Sequence, residues 1–95
     1  MKAQIDNYHT WIDEVEPEKL KLIFQKLLTD SGFGVINFIE HHFNPIGWTG
    51  LWLLAESHLA LHTFPEEQKT YVELSSCNRT MYDKFLLLLE PYKHG

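Results

Sequence analysis

Ser57 follows Glu56, precedes His62 by five residues, and lies twenty residues before Cys77, the chain's single cysteine. A serine hydroxyl can attack the carbonyl of its own preceding peptide and turn the Glu56–Ser57 amide into an ester. β-Elimination from that ester releases Glu56 as a new C-terminus and leaves a dehydroalanine. Hydrolysis then yields ammonia and a pyruvoyl group. Both steps need strain or an oxyanion donor at the carbonyl, and a base for the Cα proton. His62 is the candidate base, because an unperturbed imidazole titrates near pH ~6.5. Cys77 has two readings: a small buried apolar residue, or an acid that protonates a carbanion after carbon dioxide leaves. The set follows no hydrolase triad order, and Gly-x-Ser-x-Gly is absent.

Other uses of these side chains are weaker. His58-x-x-x-His62 has zinc-like spacing only on a helix, and the local pattern is that of a strand. His41 and His42 are adjacent and point to opposite faces of a strand, so no metal site is expected. Phe43, Trp48 and Phe64 sit beside turns. Two such rings flanking a pocket can sandwich a flat heterocycle, and Glu66 beside them can accept hydrogen bonds from a sugar diol. The sequence lacks a phosphate-cradling glycine loop, and no lysine sits in a setting that suggests a pyridoxal Schiff base.

These residues need a scaffold. Residues 3–9 carry a weak strand signal. Pro17 suits a first helical turn. Leu20, Ile23, Phe24, Leu27 and Leu28 then follow helical spacing, up to a left-handed cap at Gly32. Residues 34–43 are rich in β-branched and aromatic types and read as a strand, closed by a turn over 44–47. From Leu51 the odd positions are apolar (Leu51, Leu53, Ala55, Leu59, Leu61), a half-buried strand pattern. Ser57 breaks that register. Because Ser57 and His62 would face opposite sides of an ideal strand, a shared role predicts a turn or bulge between them. Residues 71–77 alternate again. Thr80 and Asp83 form a capping box for a last helix, with Tyr82, Phe85, Leu86 and Leu89 on its buried face and Pro91 as its stop. The order β-α-β-β-β-β-α predicts an α+β two-layer sandwich, an antiparallel sheet with two helices on one face. The other face is left for a site or a partner.

Ninety-five residues suggest one domain, residues 1–95. A chain of this size buries about 60–65% of its unfolded surface, so the core is thin. The net charge of −5 argues against a nucleic-acid surface. No stretch approaches the ~20 apolar residues of a membrane span, and no signal peptide is visible. A lone cysteine fits a reducing cytoplasm, and so small a core suits a homodimer.

The chain resembles the prokaryotic S-adenosylmethionine decarboxylase proenzyme family. His41-His42-Phe43-Asn44-Pro45-Ile46-Gly47, Trp48-Thr49-Gly50, Glu56-Ser57-His58-Leu59-Ala60-Leu61-His62-Thr63-Phe64-Pro65-Glu66 and Ser75-Ser76-Cys77 carry the resemblance. It implies self-cleavage between Glu56 and Ser57, and a pyruvoyl cofactor made from Ser57 that forms a Schiff base with the substrate amine. It further implies processing roles for His62 and for Thr49, which stands where the family usually has serine. Cys77 becomes the proton donor in decarboxylation. Phe43 and Phe64 become the rings that stack on adenine, Phe64 in place of a tryptophan, and Glu66 the ribose-binding acid. The implied activity is decarboxylation of S-adenosylmethionine for polyamine (spermidine) synthesis by oligomers. A pyruvoyl-dependent ornithine or arginine decarboxylase, and an uncleaved regulatory homologue, are the alternatives.

Overall fold

The computed structural model describes residues 3–93. Five antiparallel strands form one sheet in the order β1-β5-β4-β3-β2. The elements are β1 (Asp6–Ile12), α1 (Pro17–Ser31), β2 (Val35–His42), β3 (Trp48–Leu54), β4 (Ser57–Phe64), β5 (Lys69–Ser76) and α2 (Arg79–Leu89). Helix α1 carries the chain from one sheet edge to the other, four strands then meander back, and both helices cover one face. The expected two-layer α+β sandwich is the observed one. Among the described residues, no helix is long and apolar enough to cross a membrane.

Helix α1 is framed as its sequence asks. The Glu16 side chain accepts from the Lys19 backbone N–H, Pro17 opens the first turn, and Gly32 closes the helix at φ 95. Leu20, Phe24, Leu27 and Leu28 are buried on its inner side. Helix α2 is capped differently from expectation. Asn78, not Thr80, is the N-cap, and its side chain accepts from Met81 N at 3.0 Å. Asp83 is not part of a capping box; it pairs with Arg79 at 2.9 Å. Asn is the stronger cap type, and its extended backbone lets the helix begin at Arg79, two residues earlier than a Thr80 cap would allow.

Two strand expectations also shift. The first strand is 6–12 rather than 3–9, because its limits come from pairing with β5, from Asp6↔Ser76 to Ile12↔Thr70. The apolar odd positions after Leu51 belong to two strands in opposite phase. In β3 the inward residues are Trp48, Gly50, Trp52 and Leu54, and Leu51 and Leu53 face outward. In β4 the odd positions Ser57, Leu59, Leu61 and Thr63 face inward. A two-residue turn at 55–56 inverts the phase. Period alone could not reveal this, since β3 is apolar on both faces.

The core lies between sheet and helices. Trp52 meets Phe38 at 4.5 Å and Phe24 at 6.5 Å between ring centroids, and Phe24 meets Phe85 at 6.2 Å. Trp48 is 1% exposed and belongs to this core, so it is not a free ring of the kind a ligand clamp uses. Its indole N–H donates to Glu40 Oε1 at 2.8 Å. Lys21 of α1 donates to the same carboxylate at 3.2 Å, so Glu40 ties α1, β2 and β3 together. The Trp48 hydrogen bond, followed by that of Lys21, holds the Glu40 carboxyl below the usual carboxylate range.

A carboxyl with a depressed folded-state pKa adds stability that is present above its unfolded value and is lost as pH falls through the folded one. Glu40→Gln is therefore expected to lower the urea midpoint at neutral pH, with the gap to wild type closing through the acid range. Gly50 is required by space. A Cβ there would lie 2.5 Å from Trp48 Cη2 and 2.7 Å from Cζ2. Gly50→Ala is expected to cost ~1–3 kcal/mol, the usual range for overpacking, read from the denaturation midpoint.

Candidate active site

The β3–β4 turn brings Glu56, Ser57 and Cys77 together. Leu54 pairs with Ser57, which leaves Ala55 and Glu56 to turn the chain. Glu56 has φ 58, a left-handed conformation that costs a non-glycine residue ~1–2 kcal/mol. Positive φ at the second position of a turn ordinarily selects glycine or asparagine. The strain thus sits on the residue whose carbonyl Ser57 would attack. Cys77 Sγ donates to that same carbonyl oxygen at 2.8 Å. Its position is fixed by the end of β5 at Ser76 and the Asn78 cap that starts α2.

Ser57 is 7% exposed and faces the helices. Its hydroxyl donates to Ser76 Oγ at 3.1 Å. Ser76 in turn donates to Asn78 O at 3.2 Å and accepts from Asn78 N at 3.0 Å. Ser76 is a site residue that the sequence reading missed. Its signal was a serine at the inward β5 position after Val72 and Leu74, opposite Ser57 in the ladder.

A second cluster forms at the far end of β4. Thr49 and His62 are cross-strand partners, with Thr49 Oγ1 2.9 Å from His62 Nδ1. That contact engages Nδ1 of the ring. Phe43, Thr49, His62, Phe64 and Glu66 all line one pocket of about 290 Å³, together with Ile46, Gly47, Trp48 and Thr63. Phe43 and Phe64 are half exposed, as rings awaiting a flat ligand would be, and His41 meets Phe43 edge-on at 4.6 Å. Four of the residues singled out for processing or substrate binding come from the β2–β3 hairpin and the end of β4, and Glu66 from the short turn of helix after it.

The two clusters do not meet within one chain. The ladders of β4 run unbroken from Ser57 to His62 against β3 and from Ser57 to Phe64 against β5. The turn falls before Ser57, so the expected turn or bulge between Ser57 and His62 is not there. Five residues of strand separate them by ~17 Å at about 3.4 Å per residue. Ser57 points inward and His62 outward. His58 and His62 share the open face of a strand, and the helix that zinc-like spacing requires is not formed. Among the described residues no group of three or more His, Cys, Asp or Glu is arranged to hold a metal ion.

Comparison with known proteins agrees with this architecture. A solved structure of an adenosylmethionine decarboxylase from Aquifex aeolicus superimposes with a TM-score of 0.71 over 95% of this chain and 83% of that one, at 21% identity. A Prochlorococcus marinus protein named S-adenosylmethionine decarboxylase proenzyme is 47% identical over 60 residues, which cover 62% of this chain and 49% of the relative. An Archaeoglobus fulgidus protein of the same name is 31% identical over 78 residues, 80% of this chain and 70% of the relative. The chain spans about half the length of the Prochlorococcus relatives it matches. The S-adenosylmethionine decarboxylase family model matches residues 7–91, and this chain belongs to that family.

Proposed function

We propose that the chain is the self-cleaving precursor of a pyruvoyl-dependent decarboxylase that acts on S-adenosylmethionine and feeds polyamine synthesis. The observation that carries the reading is the Cys77 thiol on the carbonyl of strained Glu56, beside Ser57. Strain at Glu56 raises the ground state, and a donor on its oxygen stabilises the charge that develops there. In the first step the Ser57 Oγ–C bond forms to the Glu56 carbonyl, the C–N bond breaks, and a base carries the hydroxyl proton to the freed Ser57 nitrogen. In the second a base removes the Ser57 Cα proton, and the Cβ–Oγ bond breaks to release the Glu56 carboxylate. Tautomerisation, addition of water and loss of ammonia leave residues 57–95 capped by a pyruvoyl group.

A small residue in a strained hairpin, with a thiol at the preceding carbonyl, suits that group. That group would supply an electrophilic carbonyl for a substrate amine and a sink for the electrons left as carbon dioxide departs. Cys77 is near enough to return the proton. Phe43 and Phe64 would flank adenine, and Glu66 would accept from the ribose hydroxyls. The free thiol suits a reducing compartment such as the cytoplasm.

His62 cannot serve Ser57 in its own chain across ~17 Å of strand. The active form is therefore a homodimer in which the pocket end of one copy meets the Ser57 end of the other. The open sheet face supports this reading. Ile39, Leu51 and Leu53 stand outward on it, 61%, 37% and 51% exposed. They line an apolar groove with Asn37 and His58 toward the Ser57 end.

Intact mass under denaturing conditions tests the scheme. Wild type is expected as two chains, residues 1–56 and a blocked chain of residues 57–95, and Ser57→Ala as one. Cys77→Ala is expected to slow cutting by up to ~10²-fold, as for loss of an oxyanion donor. A single full-length mass that persists through long incubation would sink self-cleavage. For the shared site, Ser57→Ala and His62→Ala should each stay whole alone, and on co-expression the His62→Ala chain should be cut. Absence of that rescue, with His62→Ala cut normally by itself, refutes the shared site. Release of labelled carbon dioxide from S-adenosylmethionine, against ornithine and arginine, decides the substrate. Glu56→Gly is expected to stabilise the uncut chain by up to about 1 kcal/mol by relieving the left-handed strain, and to cut more slowly.

A further inference from the structure

We infer that Tyr71, tethered by Glu73, is a positioning residue that holds the His62 imidazole from the side opposite Thr49. The inference rests on reading His62 as the processing base. His62 and Tyr71 face each other across the β4–β5 ladder. Their rings lie 6.2 Å apart with planes at 29°, within the offset range that aromatic pairs prefer. On the other flank, Thr49 meets His62 Nδ1. A hydroxyl can donate to Nδ1 or accept from it, so this contact by itself selects neither a tautomer nor a ring tilt. The Tyr71 ring closes the β5 side and limits the swing of the imidazole, so that Nε2 keeps one direction along the open face.

Tyr71 is itself held from several sides. Its hydroxyl donates to Glu73 Oε1 at 2.8 Å. Trp11 of β1 meets it edge-on at 5.3 Å, and His9 lies against it at 5.9 Å. His9 also stands opposite Glu73 in the β1–β5 register. The hydrogen bond to Glu73, with burial adding to it, raises the Tyr71 pKa, so the phenol remains a protonated donor around neutral pH. The tether joins alternate residues on one face of β5. It therefore adds nothing to the ladder and acts on the orientation of the ring alone.

Nuclear magnetic resonance of isotope-labelled histidine nitrogens in the uncut Ser57→Ala protein tests this without relying on cleavage. With Tyr71 present, the His62 ring should be held in one orientation and its nitrogens should give one sharp set of signals. Tyr71→Val keeps a good strand former and should shift or broaden those signals as the ring gains freedom. Tyr71→Phe, which keeps the ring but loses the hydroxyl that Glu73 holds, should shift them part of the way. Glu73→Gln, a milder change that leaves the strand intact, should shift them in the same direction as Tyr71→Val. In the cleaving chain, Tyr71→Val should slow cutting ~3- to 10-fold, the scale of one aromatic pair. Unchanged His62 nitrogens in both Tyr71→Val and Glu73→Gln overturn the positioning role at any cleavage rate. Shifted nitrogens in chains whose cutting rate never responds uphold it and overturn the role of His62 as base.

Discussion

Between Ser57 and Phe64 the side chains of β4 must alternate between the two faces of the sheet, and β4 is flanked by a full ladder on each side. A slip of one residue would send Leu59 and Leu61 out of the core and break both ladders at once. The alternation is therefore fixed, and so is its consequence for the site. Ser57 lies on the helix side at one end, and His62 on the open side at the other. No local adjustment brings them together, because the strand that would have to bend is the one the core is built on.

The same constraint explains why the sheet is apolar on both faces near β3. Inward, Trp48, Trp52 and Leu54 complete the core with the helices, and Gly50 leaves room for the Trp48 ring. Outward, Leu51 and Leu53 add nothing to that core. In a chain whose core is already thin, outward leucines on a central strand form the face that the proposed pairing of copies would cover. Under that proposal, stability of the single copy and completion of the site would be divided between the two sides of one strand.

What could be read in the sequence follows the range of the interactions. Helix α1 was legible from its first turn to Gly32, since caps and helical spacing act within a few residues. The set of pocket residues, Phe43, Thr49, His62, Phe64 and Glu66, was legible through the motifs that carry the family resemblance. The limits of β1 were not, because they are set by β5 some sixty residues away in the chain. The phase of β3 was hidden because leucine and tryptophan give no contrast between its faces. The separation of Ser57 from His62 was hidden for a related reason. A shared role for Ser57 and His62 asks for a bend after Ser57, whereas the bend lies just before it and Ser57 is the first residue of a regular strand. Ser76 and Tyr71 escaped notice because each matters only through a partner across the ladder.

The hairpin at Ala55 and Glu56 has a topological consequence. A chain opened there loses a tight connection and keeps the β3–β4 pairing beyond Ser57 itself. The two pieces share one core: Phe24 and Trp52 come from the first, and Leu59, Leu61, Leu74 and Phe85 from the second. Neither piece has a complete hydrophobic interior, so after scission they are bound partners, and their association becomes bimolecular. The stability of each opened copy would then depend on the concentration of its two pieces. Opening the backbone at that turn changes the order of the folding reaction while leaving the architecture in place.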